Sequence, residues 1–213
     1  YVLRLYAQRA SEVLRRGRRV WTMSADVTTV ASVVSRAAIV LLVVGGAWAL
    51  STGAVDAARA IVDTGLTLVE TYALLPAQQY FYSTRGEICL AAGALNEATT
   101  AFQQALVLAE KYENPIFAAN VRAHLGRVAQ ARGALDEALA LLTAAKAAVT
   151  GNTAYYLQTQ IELWLAELHL QRGEPAAMEQ NLGLAEARLA NSQNHVLQAK
   201  VAQLRAAQRL SHP

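Results

Sequence analysis

Three near copies of one stretch decide how this chain folds: Gly53-Ala54-Val55-Asp56-Ala57-Ala58, Gly93-Ala94-Leu95-Asn96-Glu97-Ala98 and Gly133-Ala134-Leu135-Asp136-Glu137-Ala138. Each begins 40 residues after the last, and Gly173-Glu174-Pro175 continues the series more loosely. Self-similarity at a fixed period means a repeated structural unit. Glycine accepts the backbone conformation that ends one helix, and Asp56, Asn96 and Asp136 are expected to cap the start of the next. Pro175 suits a first helical turn. The unit is therefore helix, turn, helix.

Small residues hold matching places around each glycine. Seven positions before stand Gly46, Gly86, Gly126 and Ala166; five positions after the first three stand Ala58, Ala98 and Ala138. Small side chains there let two antiparallel helices approach closely. Gly86, Gly93, Ala98, Phe102, Ala105 and Leu106 together resemble the tetratricopeptide signature. The third unit keeps Leu125, Gly126, Gly133, Ala138 and Ala145, with Leu142 in the aromatic's place. The fourth keeps Leu165, Ala166, Gly173, Leu182 and Ala185, but has Met178 where alanine is expected. The family's usual period is about 34 residues, so each helix or connection here must be longer. In that respect the chain resembles the arrays of bacterial signalling regulators of the MalT type, where such an array is a sensor arm.

The resemblance implies an all-α fold, an α-solenoid of TPR-like antiparallel helix pairs over residues 37–213 with a C-terminal capping helix. Helices are expected at 2–19, 27–52, 56–73, 77–92, 96–112, 116–132, 136–149, 154–172, 175–190 and 194–210. Asn114-Pro115 and Gly151-Asn152 mark breaks between units. In the last helix Leu197, Val201 and Leu204 share a stripe flanked by Lys200 and Arg205, the pattern of a cap over the open end of a stack.

The 213 residues are 54% hydrophobic and 16% charged, with much of the apolar share in the helix formers alanine and leucine. The net charge of +3 is unevenly placed. Residues 1–36 carry seven arginines against Glu12 and Asp26, whereas residues 37–213 carry twelve basic and fourteen acidic side chains. A pI near 9.2 thus reflects an N-terminal arm. The slightly acidic body lacks the basic stripe that nucleic acid requires. Cys89 is the single cysteine, so neither an internal disulfide nor a cysteine cluster for zinc can form, and a small buried apolar role is expected. The chain begins at Tyr1, which suggests a fragment of something longer.

Residues 37–55, AAIVLLVVGGAWALSTGAV, hold no charge. The length, the arginine cluster at 15, 16, 18, 19 and 36, and Trp21 and Trp48 as interfacial residues fit a single transmembrane helix with a cytoplasmic N-terminus. Against this, Gly46, Gly53, Ala58 and Leu66 fall in register with Gly86, Gly93, Ala98 and Leu106, which fits the first helix of a pair in a cytoplasmic array. Extending a span back to Arg36 would cost about 2.5–3.5 kcal/mol. The arm 1–36 is likewise open to two readings. Leu3, Tyr6, Ala10, Val13 and Leu14 share a helical face, so residues 1–19 fit either a basic amphipathic helix on anionic lipid or part of a preceding repeat.

No phosphate-binding glycine loop, HExxH pair or GxSxG elbow is present. His124, His169, His195 and His212 lie at no metal-ligand spacing and are read as packing or surface residues. Catalysis, a cofactor and a metal are therefore not expected. The function implied is a scaffold or sensor module holding a protein or peptide on the concave face, which the first helices of successive pairs line. The alternatives are a membrane-anchored accessory subunit, or the sensor arm of an ATP-dependent transcriptional regulator. The resemblance places groove positions at Tyr80 and Glu87, at Asn120, Arg127 and Gln130, and at Gln160, Glu167 and Gln171, with apolar Val40, Val43, Ala47 and Leu50 in the first unit. The lysine, asparagine and arginine clamp by which some family members hold a terminal carboxylate is not reproduced.

Overall fold

The computed structural model describes residues 53–149, 154–190 and 192–211. The readings of the arm 1–36, of the uncharged run through residue 52, of the groove positions Val40, Val43, Ala47 and Leu50, of the Gly151-Asn152 break and of His212 lie outside them. Among the described residues there are eight α-helices and no strand: α1 Val55–Thr71, α2 Gln78–Ala91, α3 Leu95–Lys111, α4 Pro115–Ala131, α5 Leu135–Ala148, α6 Tyr155–Arg172, α7 Pro175–Leu189 and α8 His195–Ser211. Each lies within a few residues of its expected place. None is long and apolar enough to cross a membrane.

The four periodic glycines sit at the bends, each with φ between 72° and 81°. In each of the three bends after α2, α4 and α6 the chain closes the helix with paired backbone bonds. Ala94 N–H donates to the Cys89 carbonyl at 2.8 Å while Gly93 N–H donates to Leu90 at 3.0 Å, and the pattern recurs at Ala134–Ala129 and Glu174–His169. This arrangement satisfies carbonyls that a helix end leaves orphaned, and it needs a left-handed residue at the glycine. The bends between pairs use the same bonds without glycine: Ala73 and Glu113 take φ of 54° and 52°, with Leu74 N–H donating to Val69 and Asn114 N–H to Ala109.

The expected caps need correction. α1, α3 and α5 begin one residue earlier than the acidic or amide side chain, their N-cap positions are Ala54, Ala94 and Ala134, and no side chain caps them. Asp56, Asn96 and Asp136 stand in the first turn, where two of them receive an arginine from the following unit. Arg132 donates to Asn96 Oδ1 at 2.9 Å and Arg172 to Asp136 Oδ1 at 2.6 Å. A side-chain cap does occur between pairs, where Asn114 Oδ1 accepts from Phe117 N–H at 3.3 Å and Pro115 opens α4.

Helices α2 with α3, α4 with α5, and α6 with α7 form the most closely packed pairs, and α8 lies over α6 and α7. Glycine makes the approach possible. A Cβ on Gly86 would fall 2.6 Å from the Phe102 ring, and one on Gly126 would fall 2.9 Å from Leu142 Cγ. Ala58, Ala98 and Ala138 are fully buried, as is Met178 in the fourth unit. Between pairs, Gly65 of α1 accepts Phe81 of α2 so closely that a Cβ would run into the edge of the ring. One and two periods later the same seams join Ala105 to the cluster holding Val121, and Ala145 to that holding Ile161. Cys89 is buried as expected. The cap stripe is also in place: Leu197 and Leu204 are buried and Val201 packs partly beside them. Arg205 of α8 clamps Glu186 through two 2.8 Å bonds and also reaches Glu179.

Candidate functional site

The first helices of three successive units, α2, α4 and α6, line a groove of about 500 Å³. Four of the expected positions meet in it: Tyr80, Glu87, Asn120 and Gln160. Tyr80, Asn120 and Gln160 are one period apart, so they form a row across the three helices. The rest of the lining comes from Asn114, Ile116, Phe117 and His124 of the third unit and from Tyr156 and Leu157 of the fourth. Sequence reading missed these. Their signal was present, because Ile116 and Tyr156, like Phe117 and Leu157, are 40 residues apart, but the positions carried over from the resemblance did not include them.

The walls are aromatic. Tyr80 and Phe117 meet edge to face with centroids 4.7 Å apart, and Asn114 Nδ2 donates to the Tyr80 hydroxyl at 3.3 Å. Ile116 and Tyr156 remain 46% and 54% exposed, an unusual openness for large apolar side chains lining one concavity. Behind them His124 is a packing residue, stacked on Phe102 at 5.1 Å and edge-on to Trp164 at 5.1 Å. Burial, with Arg127 as a second cause, lowers its pKa to about 4, so the ring is neutral at pH 7. Its Nε2 lies 3.8 Å from Glu87 Oε1. Burial likewise raises the Glu87 pKa to about 7, although 38% of that side chain still faces the groove.

The other four expected positions lie beyond that groove's lining and bond to one another. Arg127 Nη1 donates to Gln130 Oε1 at 2.7 Å and to Glu167 Oε2 at 3.0 Å, and Gln130 Nε2 donates to Gln171 Oε1 at 3.1 Å. Lys200 of the capping helix adds a second cation to Glu167 at 3.3 Å. Glu87, Arg127 and Glu167 share one register position in successive units, so the row alternates in sign and closes on Lys200. Deeper in the same part of the stack, Glu162 is 1% exposed and held by Arg188 at 3.0 Å and Lys146 at 3.7 Å. That carboxylate joins α5, α6 and α7 and does not reach the groove. Among the described residues, no group of three histidine, cysteine or acidic side chains could hold a metal ion.

Comparison with solved structures decides the fold. The chain is similar to the nearly identical TPR-like repeats of a Podosopora anserina protein assigned as a kinesin light chain, at 17% identity and a TM-score of 0.56, over 82% of this chain and 98% of that one. A single-residue variant of the same repeats gives 16% identity and the same TM-score, over 82% and 97%. This chain folds as a TPR-like helical array. The likeness to MalT-type arrays remains one of period alone. No protein-family model matches the sequence, and no curated protein does. TPR-like arrays are generally protein-interaction modules, built as stacked hairpins with a continuous concave surface.

Proposed function

We propose that this chain is a non-catalytic interaction module that holds an extended segment of a partner protein in the groove between Tyr80, Asn120 and Gln160. The observation that carries the proposal is the pairing of exposed apolar walls, Ile116 and Tyr156, with a row of side-chain amides at the same site. Apolar walls supply the driving force for association. Amides can satisfy the backbone donors and acceptors that an extended peptide would otherwise leave unpaired. The test is site-specific photocrosslinking in cells of the native source. A photoreactive phenylalanine at Ile116 should capture a defined partner, and the same group at Val107, an exposed position on α3 outside the groove lining, should not. Equal capture from both sites would remove the groove from the binding surface.

The uncharged run 37–55 supports a second reading, in which the array is anchored to a membrane and decorates a larger assembly. Extraction with alkaline carbonate separates the two: retention of the chain in the membrane pellet would establish the anchor, and release would remove it.

A further inference from the structure

Among the described residues, charge in this register row is matched everywhere but at one end. Arg127 answers Glu167, and Lys200 answers Glu167 from the other side. Glu87, the first member of the row among the described residues, has no lysine or arginine within ion-pair distance among them; its one ionisable neighbour is His124 at 3.8 Å, which is neutral at pH 7. One period earlier the sequence has Ala47, which carries no charge. Among the described residues, the groove lining contains no lysine or arginine, and Glu87 is its single carboxylate.

A partly buried carboxylate without a counter-charge is costly to the free protein, and an incoming cation relieves that cost. Aromatic rings line the same groove, Tyr80, Phe117 and Tyr156, and such rings attract a cation over their faces and pack its alkyl stem. We propose, resting on the groove reading above, that the array selects a partner segment bearing an arginine or lysine, whose head group takes the Glu87 carboxylate while apolar neighbours in the segment lie against the aromatic walls. Tyr80 and Glu87 are two helical turns apart on α2, about 10 Å, which an extended segment of about three residues spans. The unmatched charge is what distinguishes this occupant from an acidic or a wholly apolar one.

The experiment uses the full chain and three short acetylated, amidated peptides that differ at one position only: arginine, norleucine or glutamate, each with a leucine three residues before it. Calorimetric titration at a pH of about 8 should show the arginine peptide binding about tenfold more tightly than the norleucine peptide, and the glutamate peptide more weakly than either. In the Glu87→Gln chain the arginine peptide should fall to the level of norleucine, with norleucine binding unchanged. Two outcomes overturn the idea in distinguishable ways. If all three peptides bind equally and Tyr80→Ala abolishes them, the groove reading stands and the preference for a cation falls. If none binds, the groove reading falls and takes the preference with it.

Discussion

Glu113 closes α3 with φ at 52°, in a bend whose equivalents after α2, α4 and α6 are all glycine. A side chain in the left-handed region costs about 1–2 kcal/mol, partly offset by glycine's greater entropy in the unfolded chain. Glu113→Gly should therefore raise stability by about 0.5–1 kcal/mol, read as a higher urea midpoint with an unchanged slope; a lower midpoint would show that the Glu113 side chain contributes contacts that outweigh the strain. Glu87 and His124 supply a second test at this scale. His124 has its pKa lowered to about 4, so the unfolded chain binds more protons between about pH 4 and 6.5, and stability rises with pH there. Glu87 is raised to about 7, so the folded chain binds more protons between about pH 4.5 and 7, and stability falls with pH there. The two slopes oppose each other in the native protein. In Glu87→Gln the His124 slope stands alone, and the urea midpoint should climb from pH 4 to 6.5 more steeply than in the wild type. Parallel curves would rule the opposition out. Neither feature was legible in the sequence: Glu113 is an ordinary residue at a helix end, and the environment of Glu87 depends on what α4 brings to it. The caps misled for a related reason, since the carboxylates Asp56 and Asp136 are as favourable in a first turn, beside the helix dipole, as at the cap itself, and Asn96 takes its partner from Arg132 of the next unit.

At the scale of elements, the seam between α1 and α2 is set by the smallest possible residue facing a large one. Gly65→Ala drives a methyl group into the Phe81 ring, in a core with no room to yield. The expected loss is about 1–3 kcal/mol. Adding Phe81→Val, which reproduces the alanine and valine pair found one period later, should recover part of that loss in thermal unfolding, and failure of the second change to help would mean that Phe81 is not the obstacle. Much of this layer was legible beforehand. The 40-residue glycine period located the bends because a positive φ is a local requirement that sequence must meet. The small residues at Gly86 and Gly126 announced the close pairs for a similar reason. Gly65 was passed over although it holds the register of Ala105 and Ala145, since its need for the smallest side chain comes from Phe81 on the next helix and not from a local turn. The Arg127 to Glu167 pair escaped notice too, because it joins side chains forty residues apart whose meeting depends on the spacing of two helices.

Among the described helices, each packs on its chain neighbours, and α2, α4, α6 and α8 also touch the next but one more lightly, so stability is expected to be nearly additive along the stack and to fray from its ends. Arg205 tests this. Its clamp on Glu186 and Glu179 ties α8 to α7 at the C-terminal end. Arg205→Ala should speed hydrogen exchange in α8 and the last turns of α7 severalfold while leaving α2 and α3 unchanged. A uniform change across all helices would indicate one cooperative unit instead of a stack. The graded seams carry a consequence for such a stack. Glycine faces phenylalanine at the first seam, alanine sits with valine at the second and alanine with isoleucine at the third, so these hairpins are not interchangeable bricks. Excising one period between α1 and α4 would set Gly65 against Val121 and leave a hollow where an aromatic ring belongs. The order of the hairpins is keyed into their joints, and a shortened or shuffled array would announce the error as a void.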